Sequence, residues 1–448
     1  MTNPEGPTES PSRVVRVFGA RHRYYLGALL AAMFGFIAAA LAPTLLNISD
    51  APKRSPIKVG VLHSLSGTMA LSESPVAEAT IFAIRELNAK GGVLGRKVEP
   101  ILVDGRSDWT VFAEEADRLI AEQEVSAIFG CWTSACRKTV KPVFERHDHV
   151  LFYPVQYEGL EQSPNIIYTG AAPNQQIIPA TKWSIDNLGR RIFLVGSDYV
   201  FPRTANAIIR LQVSALNGEI VGEDYQTLGG GDFAPIIERI KLARPDVIFN
   251  TINGDSNVAF YQQLRDAGIL PEAIPVMSFS LAESEARAIG PELVAGDYAA
   301  RNYFQTVDSQ ENRDFLARLR GRFGDDVVTN APMEAAYFGV LMWAQAVEEA
   351  GSAQFRDYRA TLPGQSMRAP GGIVYIDPEN QHTWRRVLIA QAQPEGTFRV
   401  VWNSQRPIRP VPYPGFRSKA EWEAFLEDLY TGWGNHWAAQ EALEDITP

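Results

Sequence analysis

Aromatic and hydroxyl residues gather at two points of the chain where a small polar molecule could be held. Trp132, Thr133 and Ser134 follow the apolar run 125–129, and Tyr153 and Tyr157 stand at and beyond the end of the run 150–153. Hydroxyls and phenols both donate and accept hydrogen bonds, while indole and phenol faces stack on a flat ligand and exclude water. Asp255 follows a third apolar run, 247–251, and its carboxylate can accept two N–H bonds. Plainer roles stay open at each position. Ser134 and Asp255 can cap helices, and the tyrosines can be core-edge residues.

Catalytic constellations are missing. The sequence holds no glycine-rich phosphate loop with lysine, no G-x-S-x-G elbow and no metal-ligand cluster. His147 and His149 follow a helix on a different loop from Cys131 and Cys136, so a zinc set is not completed. The two cysteines read as small buried residues at a strand end and helix start. A disulfide requires an oxidising compartment, and a helical start would misdirect the two side chains. No enzyme activity, cofactor or metal is expected.

The elements that must position these residues alternate. Residues 125–129 and 150–153 have the apolar character of buried parallel strands, and Val140, Val143 and Phe144 between them recur at helical spacing. Strands are also expected at 57–62 and 98–103, with a helix opened by Ser74-Pro75 and closed by Gly91-Gly92, and another at 112–121. From Ile177 the alternation resumes: strands at 192–195, 219–225 and 247–251, helices at 202–216, 233–242 and 258–267. Two such runs give an α/β fold of two doubly wound parallel-sheet lobes. Residues 311–362 read as helical, and 373–376 and 386–392 as strand-like. In open parallel sheets ligands sit beyond the carboxyl ends of the strands, which is where Trp132, Ser134, Tyr153 and Asp255 fall.

The chain has 448 residues, 42 basic against 52 acidic side chains and a net charge of −10, so an acidic protein without a basic stripe argues against nucleic acid. Arg13, Arg16, Arg21 and Arg23 precede an apolar run at 24–46, the pattern of an export signal or a single membrane anchor. Residues from 55 onward are therefore expected outside the cytoplasmic membrane, in the periplasm or held to its outer face. At the other end, Trp422, Phe425, Leu426, Leu429, Tyr430, Trp433 and Trp437 recur at spacings of three and four, giving one aromatic face to a helix between 418 and 439. That face either packs on the protein itself or meets a permease or membrane surface.

Nine stretches in order go beyond fold class: VGVLHSLSGTMA from Val59, NAKGGVLGR from Asn88, FGCWTSACRK from Phe129, FYPVQYEGLEQSPN from Phe152, YTGAAPNQQ from Tyr168, GSDYVFPRTAN from Gly196, FNTINGDSNVAF from Phe249, PMEAAY from Pro332, and the DPEN-H-TW pattern at Asp377 to Trp384. With them the chain resembles the urea- and short-amide-type substrate-binding proteins of ABC transporters, in the type I periplasmic-binding fold. The resemblance implies two lobes joined by a three-strand hinge, crossing near 170–174, 302–304 and 371–377. One lobe would combine 55–172 with 305–372 and the other 173–304 with 373–414, leaving 1–54 as tail and signal or anchor and 415–448 as a C-terminal extension. Carried over residue by residue, it implies a ligand site of Trp132, Ser134, Tyr153 and Val155 on one lobe and Tyr199, Phe201 and Asp255 on the other. Phe201 stands where some relatives have tyrosine. The implied partners are a small neutral molecule, urea or a short amide, and ABC permease subunits. Branched-chain or other amino-acid binding on the same fold, and an amide sensor anchored to the membrane, are the competing readings.

Overall fold

The computed structural model describes residues 55–439. The apolar run at 24–46, read as signal or anchor, and the last residues of the C-terminal extension lie outside them. Among the described residues no helix is long and apolar enough to cross a membrane.

Alternating strand and helix patterns produce two parallel sheets. The first holds β1 (Ile57–His63), β2 (Val98–Asp104), β3 (Ile128–Gly130), β4 (Leu151–Tyr153) and β5 (Ile166–Tyr168), all parallel, in the order β2-β1-β3-β4-β5. Helices α1 (Ala70–Ala89), α2 (Trp109–Ala121) and α3 (Ser134–Arg146) make the crossovers. Helix α1 starts one turn before the expected Ser74. Gly67, at φ +78°, turns the chain straight after β1, and its carbonyl takes the first helical N–H, from Ala70.

The second sheet follows through α4 (Ile177–Asn187), β6 (Arg191–Ser197), α5 (Val200–Ala215), β7 (Glu219–Gln226), α6 (Ala234–Ala243), β8 (Val247–Thr251), α7 (Ser256–Asp266), β9 (Val276–Ser278), α8 (Glu283–Ile289) and β10 (Tyr298–Arg301). The chain then returns to the first sheet. Helices α9 (Gln310–Phe323) and α10 (Ala331–Ala350) bury Phe315, Leu319, Phe338 and Trp343 against β1, β3 and β4. The stretch read as helical over 311–362 is thus two long helices followed by short helical turns at Phe355–Tyr358 and Arg359–Thr361. Gly324 at φ +95° ends one, and Asn330, accepting from Met333 N, caps the next.

A small antiparallel sheet of β11 (Ser366–Ala369), β12 (Gly372–Ile376) and β13 (Thr383–Trp384) comes next. Finally β14 (Leu388–Ala392) and β15 (Phe398–Asn403) join the second sheet antiparallel, giving β15-β14-β10-β9-β8-β6-β7. The third crossover thus lies between Trp384 and Leu388, later than the expected 371–377. Residues 373–384 belong with the first lobe, because Val374 and Ile376 fill its core. Helix α11 (Lys419–Gly432) opens with a capping box between Ser418 and Glu421 and stops short of the expected 439.

The cysteines form a disulfide, Cys131–Cys136, which corrects their reading as separate buried residues. Cys131 precedes the helix in a left-handed conformation, φ +61°, and that turn brings the two Cα atoms to 5.9 Å. Such a bond persists where thiols are not kept reduced.

Candidate functional site

The strand ends of the two sheets face each other, and the side chains expected there meet in one apolar cluster. Trp132, Tyr153 and Val155 from the first lobe and Tyr199, Phe201 and Phe279 from the second are all buried in it. Five of the seven carried-over residues therefore come together. Tyr199 and Phe201 lie at the start of α5, where Asn206 and Thr251 already satisfy each other.

Ser134 and Tyr153 are occupied by the protein itself. The Ser134 hydroxyl donates to Glu158 Oε2 and accepts from Arg137 Nη1 at 3.2 Å, so its proton is not free for a ligand oxygen. The Tyr153 phenol donates to the Trp132 carbonyl. Behind them lies a closed ionic network. Arg137, fully buried, donates to Glu158 Oε1 (3.0 Å) and Glu161 Oε1 (2.8 Å), and its guanidinium lies 4.2 Å from the Tyr157 ring centre. Lys138 reaches Glu161 Oε2 at 3.3 Å. Burial alone would raise the Glu161 carboxyl, but the charges of Arg137 and Lys138 overcome it and hold the group well below the ordinary carboxylate range. His382 stacks on Tyr168, with ring centres 4.1 Å apart. Its Nδ1–H donates to Asn380 O (2.6 Å), so its Nε2 accepts from the Tyr157 phenol. Burial pushes the imidazole down to about 3 and keeps it neutral.

Direct bonds cross the cleft, so the lobes are closed on each other. Ser72 Oγ donates to Glu285 Oε1 (2.8 Å), Gln156 Nε2 to Phe279 O (3.1 Å) and Asn330 Nδ2 to Ser284 Oγ (2.6 Å). Asp255 makes another: its carboxylate accepts the Thr68 hydroxyl, and its N–H donates to Thr68 O at 3.3 Å. Gly254 permits this approach. It has φ +69°, and a Cβ there would sit 2.9 Å from Thr68 O. Asp255 is exposed at the rim and does not cap α7 through its side chain.

All three crossovers line a narrow cavity on the hinge side. Its walls include Gly170 and Gln176 from the first crossover, Arg301 and Asn302 from the second, and Arg385 from the third, beside Gln156. Gly170 fits only without a side chain, since a Cβ would lie 2.0 Å from Val155 O. Arg385 is paired with Glu334 and donates to Thr169 O at 2.8 Å. Sequence reasoning missed Gln176, Arg301 and the buried pair His63–Glu73 (3.1 Å). The quoted stretches contain His63 and Gln176, but nothing in them marks which polar residues end up buried.

A model of the periplasmic binding protein domain family matches residues 57–419, most of the chain. The chain belongs to that family. Among its relatives, a Leu/Ile/Val-binding protein homolog of Brucella melitensis is 23% identical over 351 residues, covering 76% of this chain and 89% of the relative. A solute-binding protein of an ABC transporter from Rhodopseudomonas palustris HaA2, solved in complex with p-hydroxybenzoic acid, superposes with a TM-score of 0.71 at 26% identity. That match covers 79% of this chain and 98% of the other. A leucine-binding protein of Thermotoga maritima superposes at 0.69 and 20% identity over 78% and 98%, a likeness of fold. A 124-residue stretch, 28% of this chain, is 33% identical to a limonene hydroxylase of Geobacillus stearothermophilus and spans 23% of it. The fold is that of a type I periplasmic binding protein, and the coarse role is solute binding for an ABC transporter outside the cytoplasmic membrane.

In a periplasmic binding protein that closes on its ligand, a rim contact between lobes acts on closure, not on ligand choice. Asp255→Ala should therefore weaken every ligand alike, by about 10-fold, since a hydrogen bond to a charged group is worth roughly 1.5–3 kcal/mol and this one, exposed at the rim, falls at the low end. Thr68→Val should do the same. Calorimetry with urea and acetamide checks this: a loss confined to urea would place the carboxylate on the ligand after all.

Proposed function

We propose that the protein is the extracytoplasmic binding component of an ABC uptake system for urea or a short amide, and that it turns nothing over. The observation that carries this reading is the size of the space left between closed lobes. Trp132, Tyr153, Tyr199, Phe201 and Phe279 fill the strand-end cluster, each no more than 3% exposed. Beside them the hinge leaves only a narrow polar crevice, lined by Gln156, Gln176, Arg301, Asn302 and Arg385. The smaller the solute, the less that crevice must open to admit it, which favours four or five heavy atoms over a branched-chain amino acid or a benzoate. The nine sequence stretches of the urea and amide type point the same way.

A second reading has one observation in its favour. Relatives are named for leucine-type amino acids or were solved with an aromatic acid, and Arg301 presents a buried guanidinium that a carboxylate could meet. Calorimetry of the protein against urea, formamide, acetamide, leucine and p-hydroxybenzoate separates the two. Binding of urea or an amide with no response to leucine or the benzoate is expected. The reverse pattern, or product formed from a bound amide, would overturn the proposal.

A further inference from the structure

Three polar atoms at the hinge cavity are uncommitted. Arg301 is 1% exposed, its Nε donates to Leu281 O at 3.0 Å, and its Nη1 and Nη2 have no hydrogen-bond partner among the described residues. Gln176 is equally buried. Its amide nitrogen donates to two carbonyls, Phe279 O (3.0 Å) and Ala300 O (2.7 Å), which fixes the orientation of the amide and leaves Oε1 without a partner. Buried polar groups are rarely left unsatisfied, and a guanidinium with two free N–H-bearing ends is the most demanding of them. The other polar walls are committed: Asn302 Nδ2 donates to Gln175 O and Arg386 O, and Arg385 is paired with Glu334.

We propose that Arg301 and Gln176 are ligand-contact residues, with the forked guanidinium donating to a carbonyl oxygen and Gln176 Oε1 accepting an N–H of the same small neutral molecule. This deepens the urea and amide reading and rests on it. Two donors and one acceptor match a molecule that carries an acceptor oxygen and a donor nitrogen on the same carbon. Urea and primary amides do. A carboxylate matches the fork but turns an acceptor toward Gln176 Oε1. Glu283 and Glu285 have carboxyls close enough to act on Arg301 without bonding to it. Each has one oxygen held, by Gln305 N (2.6 Å) and Ser72 Oγ (2.8 Å), and the other without a partner. The contact also explains how binding reaches closure. Gln176 and Arg301 stand on two different crossovers, and Gln156, beside them, bonds across the cleft to Phe279 O. A ligand bridging the first two ties the hinge in its closed form.

The test uses the full-length protein and needs two measurements. Arg301→Lys keeps a positive charge beside Glu283 and Glu285 but cannot fork, so it should weaken urea and acetamide by about 10-fold or more. In the parent, selenourea should place its selenium, located by anomalous scattering, within hydrogen-bonding distance of the Arg301 guanidinium, and this arm requires no variant to fold. Urea binding that is unchanged in Arg301→Lys, or selenium among Trp132, Tyr153 and Tyr199, would overturn this assignment and leave the urea reading standing. A parent that binds acetate or leucine and ignores urea would overturn both. Urea binding with water alone at Arg301 counts against the assignment as well.

Discussion

Arg137→Met is expected to cost about 3–5 kcal/mol of stability, because it leaves two buried carboxylates without their cation. Glu158 and Glu161 are both at least 97% buried, and each accepts a charge-assisted bond from this one guanidinium. Lys138 bonds only Glu161, so Glu158 would keep the Ser134 hydroxyl alone. Scanning calorimetry reads the loss directly. Adding Glu158→Gln to the variant should return much of it, since Glu161 keeps Lys138 as its cation and no buried carboxylate is then left unpaired. Equal melting temperatures for Arg137→Met and the parent would show that the network contributes nothing to the fold.

The same network sets an acid limb. The folded-state Glu161 carboxyl is depressed, so its stabilisation is present above the unfolded carboxylate value near 4.3 and is lost as pH falls below it. His382 acts earlier. Its folded value of about 3 lies below the unfolded imidazole value near 6.5, so the unfolded chain takes up the proton first. Stability then falls as pH drops from about 6.5 toward 3. Glu283 runs the other way: burial lifts its carboxyl to about 8, and its contribution declines as pH rises from about 4.5 to 8. In Arg137→Met the Glu161 part of the acid limb should vanish, so the gap to the parent narrows at low pH.

Periodicity made the two sheets readable, because a parallel strand buried on both faces is a continuous apolar run such as 247–251, and neither lobe could hide it. Trp132, Tyr153 and Tyr199 were legible for a related reason: they sit directly after such runs, at the strand ends where clefts form. Partner choice was not legible. Ser134 reads as a free hydroxyl until Glu158, 24 residues away, is seen to take its proton. Arg137 and Lys138 look like the solvated face of a helix, and only the 157–161 loop folding over them makes them core. Arg301 closes an apolar strand and gives no sign that its ends will be left without partners. The strand-like character of 373–376 was plain, but which lobe it joins depends on Val374 and Ile376 finding a core built some 300 residues earlier in the chain. The disulfide failed for a local reason: the positive φ of Cys131 is not written in its residue type.

Removal of residues 415–448 should lower the melting temperature and weaken ligand binding together. The aromatic face of α11 is spent on the protein. Trp422 is fully buried and its indole N–H donates to Pro414 O at 2.9 Å, with Leu426 buried beside it. Replacing a buried tryptophan by alanine costs about 3–5 kcal/mol, so Trp422→Ala alone should show most of the effect on stability. The effect on binding has a separate cause, in the chain around the helix. After it, the Trp437 ring lies 4.6 Å from Lys138 Nζ on the first lobe, while Trp437 O accepts from Val200 N (3.0 Å) and Ala438 pairs with Tyr199 on the second. The tail therefore holds both lobes in the closed arrangement, and a contact made only in that arrangement favours it by its own free energy. Cutting it should raise the ligand off-rate several-fold and leave the choice of ligand unchanged. Stopped-flow release and calorimetry on the truncated protein measure the two effects. A melting temperature equal to the parent's would exclude the packing role and return the aromatic face to a permease or membrane surface. A lowered one with an unaltered off-rate would confine the tail to a single lobe.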